Sequence, residues 1–279
     1  VQYRTAQGGG THQSASFSGS APIYLMVTRV GTTFTAYTSS DGSTWTLVAG
    51  SSVTLNMSGS VLAGMAFTSH NPKALGSATF DTVSISATLP SSCPGNWNCS
   101  DVGSPALAGN QLLNGGTWTI QAGGTDIFGA ADQFHFVSQS LAADGSVSAH
   151  VVSQQKTSGW AKAGVMLRQS ADPGSAYYAV FVTPTNGIIV QYRTAQGGGT
   201  HQSASFSGTV PTYLLVARSG NIYTAYTSSD GSTWTPLAGS SATLTTSGPV
   251  LAGIAVTSHN AKVLGSVTFD TVNISTTMP

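Results

Sequence analysis

Trp160-Ala161-Lys162-Ala163-Gly164-Val165-Met166-Leu167-Arg168 is a stretch written in alternation. Ala161, Ala163, Val165 and Leu167 fall on one apolar face, and Lys162, Met166 and Arg168 share the other, with Trp160 in line before them. Successive side chains of an extended chain point to opposite faces, so this period predicts a strand with one face in a core. The pattern continues outward in both directions. It predicts strands over 116–121, 132–140, 145–154, 161–170, 175–183, 187–195, 213–219, 222–228, 233–237, 250–258 and 265–275. Leu141-Ala142-Ala143-Asp144-Gly145 and Ser229-Asp230-Gly231-Ser232 separate strand pairs as hairpin turns, glycine supplying the positive φ. No long stretch carries the helical period. Short strands without crossover helices predict an all-β chain built as an antiparallel β-sandwich or jelly roll.

Residues 190–279 repeat residues 1–90 at a constant offset of 189, with about three quarters of positions identical. Residues 98–189 occur once. The chain therefore reads as one complete module, 98–279, preceded by a duplicated half. In that module 98–189 is the front half and 190–279 the back half. Residues 1–90 are an orphan back half, and 91–97 are a linker with the Cys loop. Val1 opens inside a strand-like run, so the chain reads as a processed product or a slice of a longer one. Half a sandwich exposes its inner face and its edges, and something must cover them. Two arrangements are open: 98–189 pairs with 190–279, or with 1–90. Both point to association with other copies of the module, head to tail, and so to a filament or array.

Only 6 % of residues are charged, the formal net charge is zero, and 40 % are hydrophobic. Nucleic acid and anionic lipid need a basic footprint, so neither is an expected partner. No apolar run approaches the ~18 residues of a membrane span. Cys93 and Cys99 flank Pro-Gly-Asn-Trp-Asn. Two thiols are too few for a structural zinc site, whereas a small disulfide ring suits an oxidising compartment. The expected location is extracellular or at the cell surface.

Three stretches carry a family likeness: Gly124-Thr125-Asp126-Ile127-Phe128-Gly129, Asp132-Gln133-Phe134-His135-Phe136-Val137 and 160–168. The repeated Ser-Ser-Asp-Gly-Ser-Thr-Trp (39–45 and 228–234) and Phe-Asp-Thr-Val (80–83 and 269–272) add to it. Together they resemble the concanavalin A-like lectin/glucanase superfamily, and within it secreted bacterial modules of the DUF1349-like type. The resemblance implies a jelly-roll sandwich across 98–279 and half of one across 1–90. Its members include enzymes, lectins and spacers, so function must be argued from sites.

A retaining glucanase of this fold uses a Glu-x-Asp-x-Glu-like strand with two carboxylates about 5 Å apart. All nine acidic residues here are aspartates, and no two alternate on one strand. The chain is therefore expected not to be an enzyme and to have no catalytic residues. The Ser-Ser-Asp-Gly-Ser-Thr-Trp hairpin resembles the Asp-box of sialidases, a structural device in which the aspartate accepts turn N–H groups. Six histidines and many serines are present, but no Gly-x-Ser-x-Gly elbow. One cofactor is in play, a structural Ca²⁺. Asp126 and Asp132 lie six apart in a Gly-rich turn and Asp270 sits on the last strand, against the plainer reading that each caps a turn. Trp160, Lys162, Arg168, Gln191, Arg193, His135 and His150 are candidate glycan contacts, because they alternate with apolar neighbours and would line an outer sheet face. A merely solvated face explains the same pattern. The leading expectation is a non-catalytic structural or adhesive array. Glycan binding comes second and glycoside hydrolysis a distant third.

Overall fold

The computed structural model describes residues 1–42, 45–48, 50–57, 59–86 and 93–279, with backbone only at Val30 and Ala204. Residues 91–92 of the expected linker, 87–90 of the orphan half, and Ser43 and Thr44 of the first Asp-box-like hairpin lie outside the described residues. The chain divides into two units, Val1–Leu89 and Pro90–Pro279.

The first unit holds β1 (Gln2–Tyr3), β2 (His12–Gln13), β3 (Tyr24–Val30), β4 (Thr33–Ser39), β5 (Thr46–Leu47) and β6 (Val53–Thr54). The second begins with β7 (Asn98–Val102), β8 (Asn110–Asn114), β9 (Thr117–Ala122), β10 (Phe134–Leu141), β11 (Gly145–Gln154), β12 (Lys162–Arg168) and β13 (Tyr177–Thr183). It continues with β14 (Gly187–Arg193), β15 (His201–Phe206), β16 (Thr212–Ser219), β17 (Ile222–Ser228), β18 (Thr235–Pro236) and β19 (Ala242–Thr243). It closes with β20 (Val250–Thr257) and β21 (Gly265–Ser275). The predicted strands are there, with ends trimmed by a few residues. Four were missed: β7, β8, β15 and β19. β7 and β8 carry few apolar residues, so their sequence holds little alternation to detect.

The second unit is a sandwich of two antiparallel sheets. One runs β15-β14-β13-β12-β20-β10-β7 and the other β18-β17-β16-β11-β21-β9-β8, with β19 beside β17. Between them lies the core predicted from alternation. Ala163, Val165 and Leu167 of β12 and Ile254 and Val256 of β20 meet Trp118 and Ile120 of β9, Val147 and Val151 of β11, and Phe269 of β21. Cys93 and Cys99 are disulfide-bonded. The ring this closes holds Trp97 edge-on to Trp118, with centroids 5.3 Å apart, so the cysteine loop is pinned to the core.

The structure decides which back half takes the front half. β20 lies between β12 and β10, and β21 between β11 and β9, so 98–189 is completed by 190–279 of the same chain.

The orphan unit shows what those neighbours contribute. Its hairpins reproduce the register of the complete module at the repeat offset. Gln2↔Gln13 matches Gln191↔Gln202, and Tyr24↔Ser39 matches Tyr213↔Ser228. Residues 61–86, the counterparts of β20 and β21, form no strand. The cause is topological: in the complete module both strands are bonded on each side only by front-half strands. Without those partners a near-identical sequence has no ladder to join. Leu62, Met65, Phe67, Phe80 and Ile85 are exposed as a result.

That difference predicts unequal costs for one substitution. Phe269 is fully buried and its repeat partner Phe80 is 49 % exposed. Phe269→Ala is expected to lower stability by about 3–5 kcal/mol in urea unfolding, and Phe80→Ala by less than ~0.5 kcal/mol. Equal losses would contradict the assignment of 98–189 to 190–279.

Candidate functional site

Lys162, Met166 and Arg168 share the outer face of the seven-stranded sheet, as the alternation predicts, but that face is not a platform. Met166 packs with Phe134, Phe136, Tyr177, Phe181 and Ile189 in a second apolar layer, and Ile127 of the β9–β10 connection closes it. One carboxylate anchors the closure. Asp132 Oδ2 accepts from Arg168 Nη1 at 3.3 Å and Arg193 Nη1 at 2.9 Å, and its Oδ1 accepts from Arg193 Nη2 at 2.7 Å. All three side chains are fully buried. Arg193 also donates to the carbonyls of Gly129 and Ser175. The Arg168 guanidinium lies over the Phe134 ring at 5.1 Å, and that of Arg193 over Tyr177 at 5.0 Å. A buried charge is tolerable only when paired and hydrogen-bonded this completely. Burial and the nearby Asp132 charge both push the Tyr177 phenol well above its ordinary range, so it stays neutral.

This corrects most of the glycan candidates. Arg168, Arg193 and Gln191 are interior groups, and the Gln191 amide donates to Gln202 Oε1 at 3.2 Å. Lys162 is buried too, bonded to the Asp126 carboxylate and the Ile127 carbonyl. Desolvation pulls its ammonium below the usual lysine range, and Asp126 opposes that pull. His135 turns to the opposite side from Phe134 and Phe136. There its Nδ1 meets Asp101 Oδ1 of β7 and its Nε2 meets Gln111 Oε1 of β8, both at 2.8 Å, so it bridges the two sheets. Gly109 is obligatory beside it, because a Cβ there would lie 2.3 Å from His135 Nδ1. Of the residues expected on this face, Trp160 reaches solvent, at 41 % exposure.

The three aspartates expected to hold a structural calcium lie apart. Asp126 faces Lys162 and His259, Asp132 sits between two guanidiniums, and Asp270 lies on the other sheet beside His150. Each carboxylate already has a side-chain partner, and the three do not converge. Among the described residues no cluster of three or more His, Cys or Asp side chains could hold a metal ion. His259 also joins three loops: its Nε2 is 3.3 Å from Asp126 Oδ2 and its Nδ1 3.4 Å from Ser158 Oγ. Ser158 Oγ accepts from the Trp160 N–H, which makes the row a latch between loops.

An open site lies on the outer face of the eight-stranded sheet. β21, β11 and β16 are neighbours there, and His150 pairs across with Asp270 on one side and Tyr213 on the other. A register shift between Ser148 and His150 places an extra residue on β21, where Thr271 has φ 51°. Such a bulge re-aims the strand, and it sets Asp270 Oδ1 2.9 Å from His150 Nδ1. The His150 ring stacks on Tyr213 at 4.0 Å and 11°. Ser146, Ser148, Asn273 and Ser275 continue the polar row, and with Tyr213 and Trp234 they line a groove of about 500 Å³.

The hairpin that carries Trp234 behaves as its sequence implies. Asp230 Oδ1 accepts the N–H groups of Ser232 and Thr233 at 2.8 Å and the Ser228 hydroxyl at 2.9 Å. These bonds hold its carboxyl far below the usual range. Gly231, at φ 73°, lets the turn lie against Tyr213, whose ring carbon is 2.7 Å from where a Cβ would sit. Of the residues singled out as contacts from sequence, His150 alone adjoins the groove, behind Tyr213, and does not line it. The signal for the lining residues was present in the paired alternation of 145–154 and 213–219, which places His150 and Tyr213 on one face.

No protein-family model and no curated protein matches the chain. Solved structures do. A functionally unknown protein from Saccharomyces cerevisiae aligns over 66 % of this chain and 98 % of its own, with 16 % identity and a TM-score of 0.51. Carbohydrate binding module CBM66 from Bacillus subtilis aligns over 64 % and 95 %, with 12 % identity and a TM-score of 0.41. Lectin I-B4 from Griffonia simplicifolia, in its metal-free form, aligns over 65 % and 93 %, with 10 % identity and a TM-score of 0.42. The likeness is one of fold: an all-β jelly-roll sandwich.

Two outcomes follow for the charged groups. Asp132→Asn leaves two buried guanidiniums without a counter-charge and is expected to lower stability by about 3–5 kcal/mol in chemical denaturation. A loss under about 1 kcal/mol would show that the clamp is not needed. The Asp230 carboxyl is depressed in the folded state, so its contribution is present above its unfolded value of about 4 and fades as pH falls toward the folded one. Melting curves between about pH 5 and about pH 2 should therefore fall more steeply for the wild type than for Asp230→Asn. Parallel curves would contradict the turn geometry.

Proposed function

We propose that the protein is a non-catalytic extracellular module that binds glycans in the groove across β21, β11 and β16. The observation behind this reading is the groove itself. It is the open, polar, aromatic-bearing sheet face that the sequence led us to expect, but on the other sheet. Trp234 offers a ring surface for the apolar face of a sugar, and Ser146, Ser148 and Asn273 offer donors and acceptors for its hydroxyls. No side chain in the lining is a carboxylate, and the chain has no glutamate, which supports the non-catalytic reading. No helix among the described residues is long and apolar enough to cross a membrane. The Cys93–Cys99 bridge supports an oxidising, extracellular location, in keeping with the likeness to secreted DUF1349-like modules.

The repeat favours a second reading, a structural or adhesive array of such modules. Stoichiometry limits its form. Each copy of this chain brings two back halves and one front half, and that front half is already paired with 190–279. Strand exchange between copies vacates as many halves as it fills, so it gives no net drive toward a filament. The array this supports is one of modules strung along a polypeptide.

Immobilised-glycan screening of the whole chain tests the first reading. One or more glycans should be retained without release of reducing sugar. Trp234→Ala and Asn273→Ala should each weaken retention by roughly tenfold or more, because such contacts contribute about 1–3 kcal/mol, while Trp160→Ala leaves it unchanged. Retention by no glycan, or undiminished retention by both groove variants, would overturn it.

A further inference from the structure

We infer that residues 1–86 are a preformed receptor for a second front half, a segment of the 98–189 type presenting the strands that β9, β10, β11 and β12 present to β20 and β21. The inference is independent of glycan binding. It rests on a comparison the chain makes with itself. The hairpins β1–β2 and β3–β4 and the short partners β5 and β6 keep the registers of β14–β15, β16–β17, β18 and β19. The segment that would bond to a front half is shaped for the task though unpaired. His70 and Thr82 have φ 52° and 51°, against 51° at both His259 and Thr271. Left-handed φ is uncommon for residues other than glycine, and in the complete module Thr271 lies at the irregularity that aligns β21 with β11.

The apolar side chains match position by position. Leu62, Met65, Phe67, Phe80 and Ile85 are all exposed. Their counterparts Ile254, Val256 and Phe269 are fully buried, and Leu251 and Ile274 are packed against the cores. In the complete module the covering groups are Val137 of β10, Val147 and Val151 of β11, Val165 and Leu167 of β12, and Trp118 and Ile120 of β9. All belong to the front half. The chemistry of the partner is thereby specified: a polypeptide bringing antiparallel strands at those registers with branched apolar residues at alternate positions. Isolated sugars, lipids or a single peptide strand supply neither two flanking ladders nor that core.

The test appends a second copy of 98–189 directly ahead of Val1, so that its final isoleucine precedes Val1 as Ile189 precedes Val190. Peptide-resolved hydrogen exchange then follows 61–68 and 76–86, which differ in mass from 250–257 and 265–275 because of Met65, Phe67 and Ala78. Exchange across both segments is expected to slow by about a hundredfold or more, toward that of β20 and β21. The parent chain supplies the baseline. A second fusion with Val165→Asp and Leu167→Asp in the appended copy alone should show no such slowing. Exchange at the parental rate in the first fusion, its recovery only as aggregate, or equal slowing in both fusions would overturn the inference. Glycan retention by the unfused chain is read separately, so failure of one leaves the other standing.

Discussion

A backbone amide in the interior of a sheet needs a hydrogen-bond partner, and for a central strand the neighbouring strands supply it on both sides. β20 and β21 are central strands, each bonded on both sides, and every partner they have comes from the half of the module they do not belong to. The two halves are thus interleaved rather than stacked, and neither can be folded first and docked later without unmet ladders. The orphan unit makes this visible. Its local hairpins, whose partners are close in sequence, are formed. The segments whose partners are distant in sequence are not.

The second constraint is the Asp132 carboxylate. Arg168 and Arg193 come from β12 and β14, and Asp132 from the connection into β10, so the clamp ties a loop across the width of a sheet. The two faces of the sandwich diverge from there. The seven-stranded sheet gains a roof and a second apolar layer, whereas the eight-stranded sheet keeps an open groove in front of His150 and Tyr213. Charge in the interior of one sheet therefore determines which surface is left for a ligand.

Alternation was legible wherever β-branched and aromatic residues dominated, and the core of β12, β20 and β9 was read from it. The same alternation misled about Lys162, Arg168 and Arg193. Period two says that a side chain leaves the core face, but not whether a loop more than thirty residues away, carrying Asp132, returns to cover it. His135 was misread for the opposite reason. It occupies the core side of β10, where its partners Asp101 and Gln111 sit on strands with too few apolar residues to be recognised. The groove was half legible, through His150 and the Ser-Ser-Asp-Gly-Ser-Thr-Trp turn. What joined them was the register between β11 and β16, which no single segment encodes.

A composition with only 6 % charged residues leaves the outside of the molecule electrically quiet. The chain has nine basic and nine acidic residues, and Lys162, Arg168, Arg193 and Asp132 lie beneath the surface. With so few charges exposed there is little long-range field to guide an approaching molecule. Encounter should proceed at the unsteered rate of roughly 10⁵–10⁶ M⁻¹s⁻¹. It should also be nearly indifferent to ionic strength, since there is little for salt to screen. Whatever meets this surface is selected by contact and residence, in dilute and in concentrated salt alike.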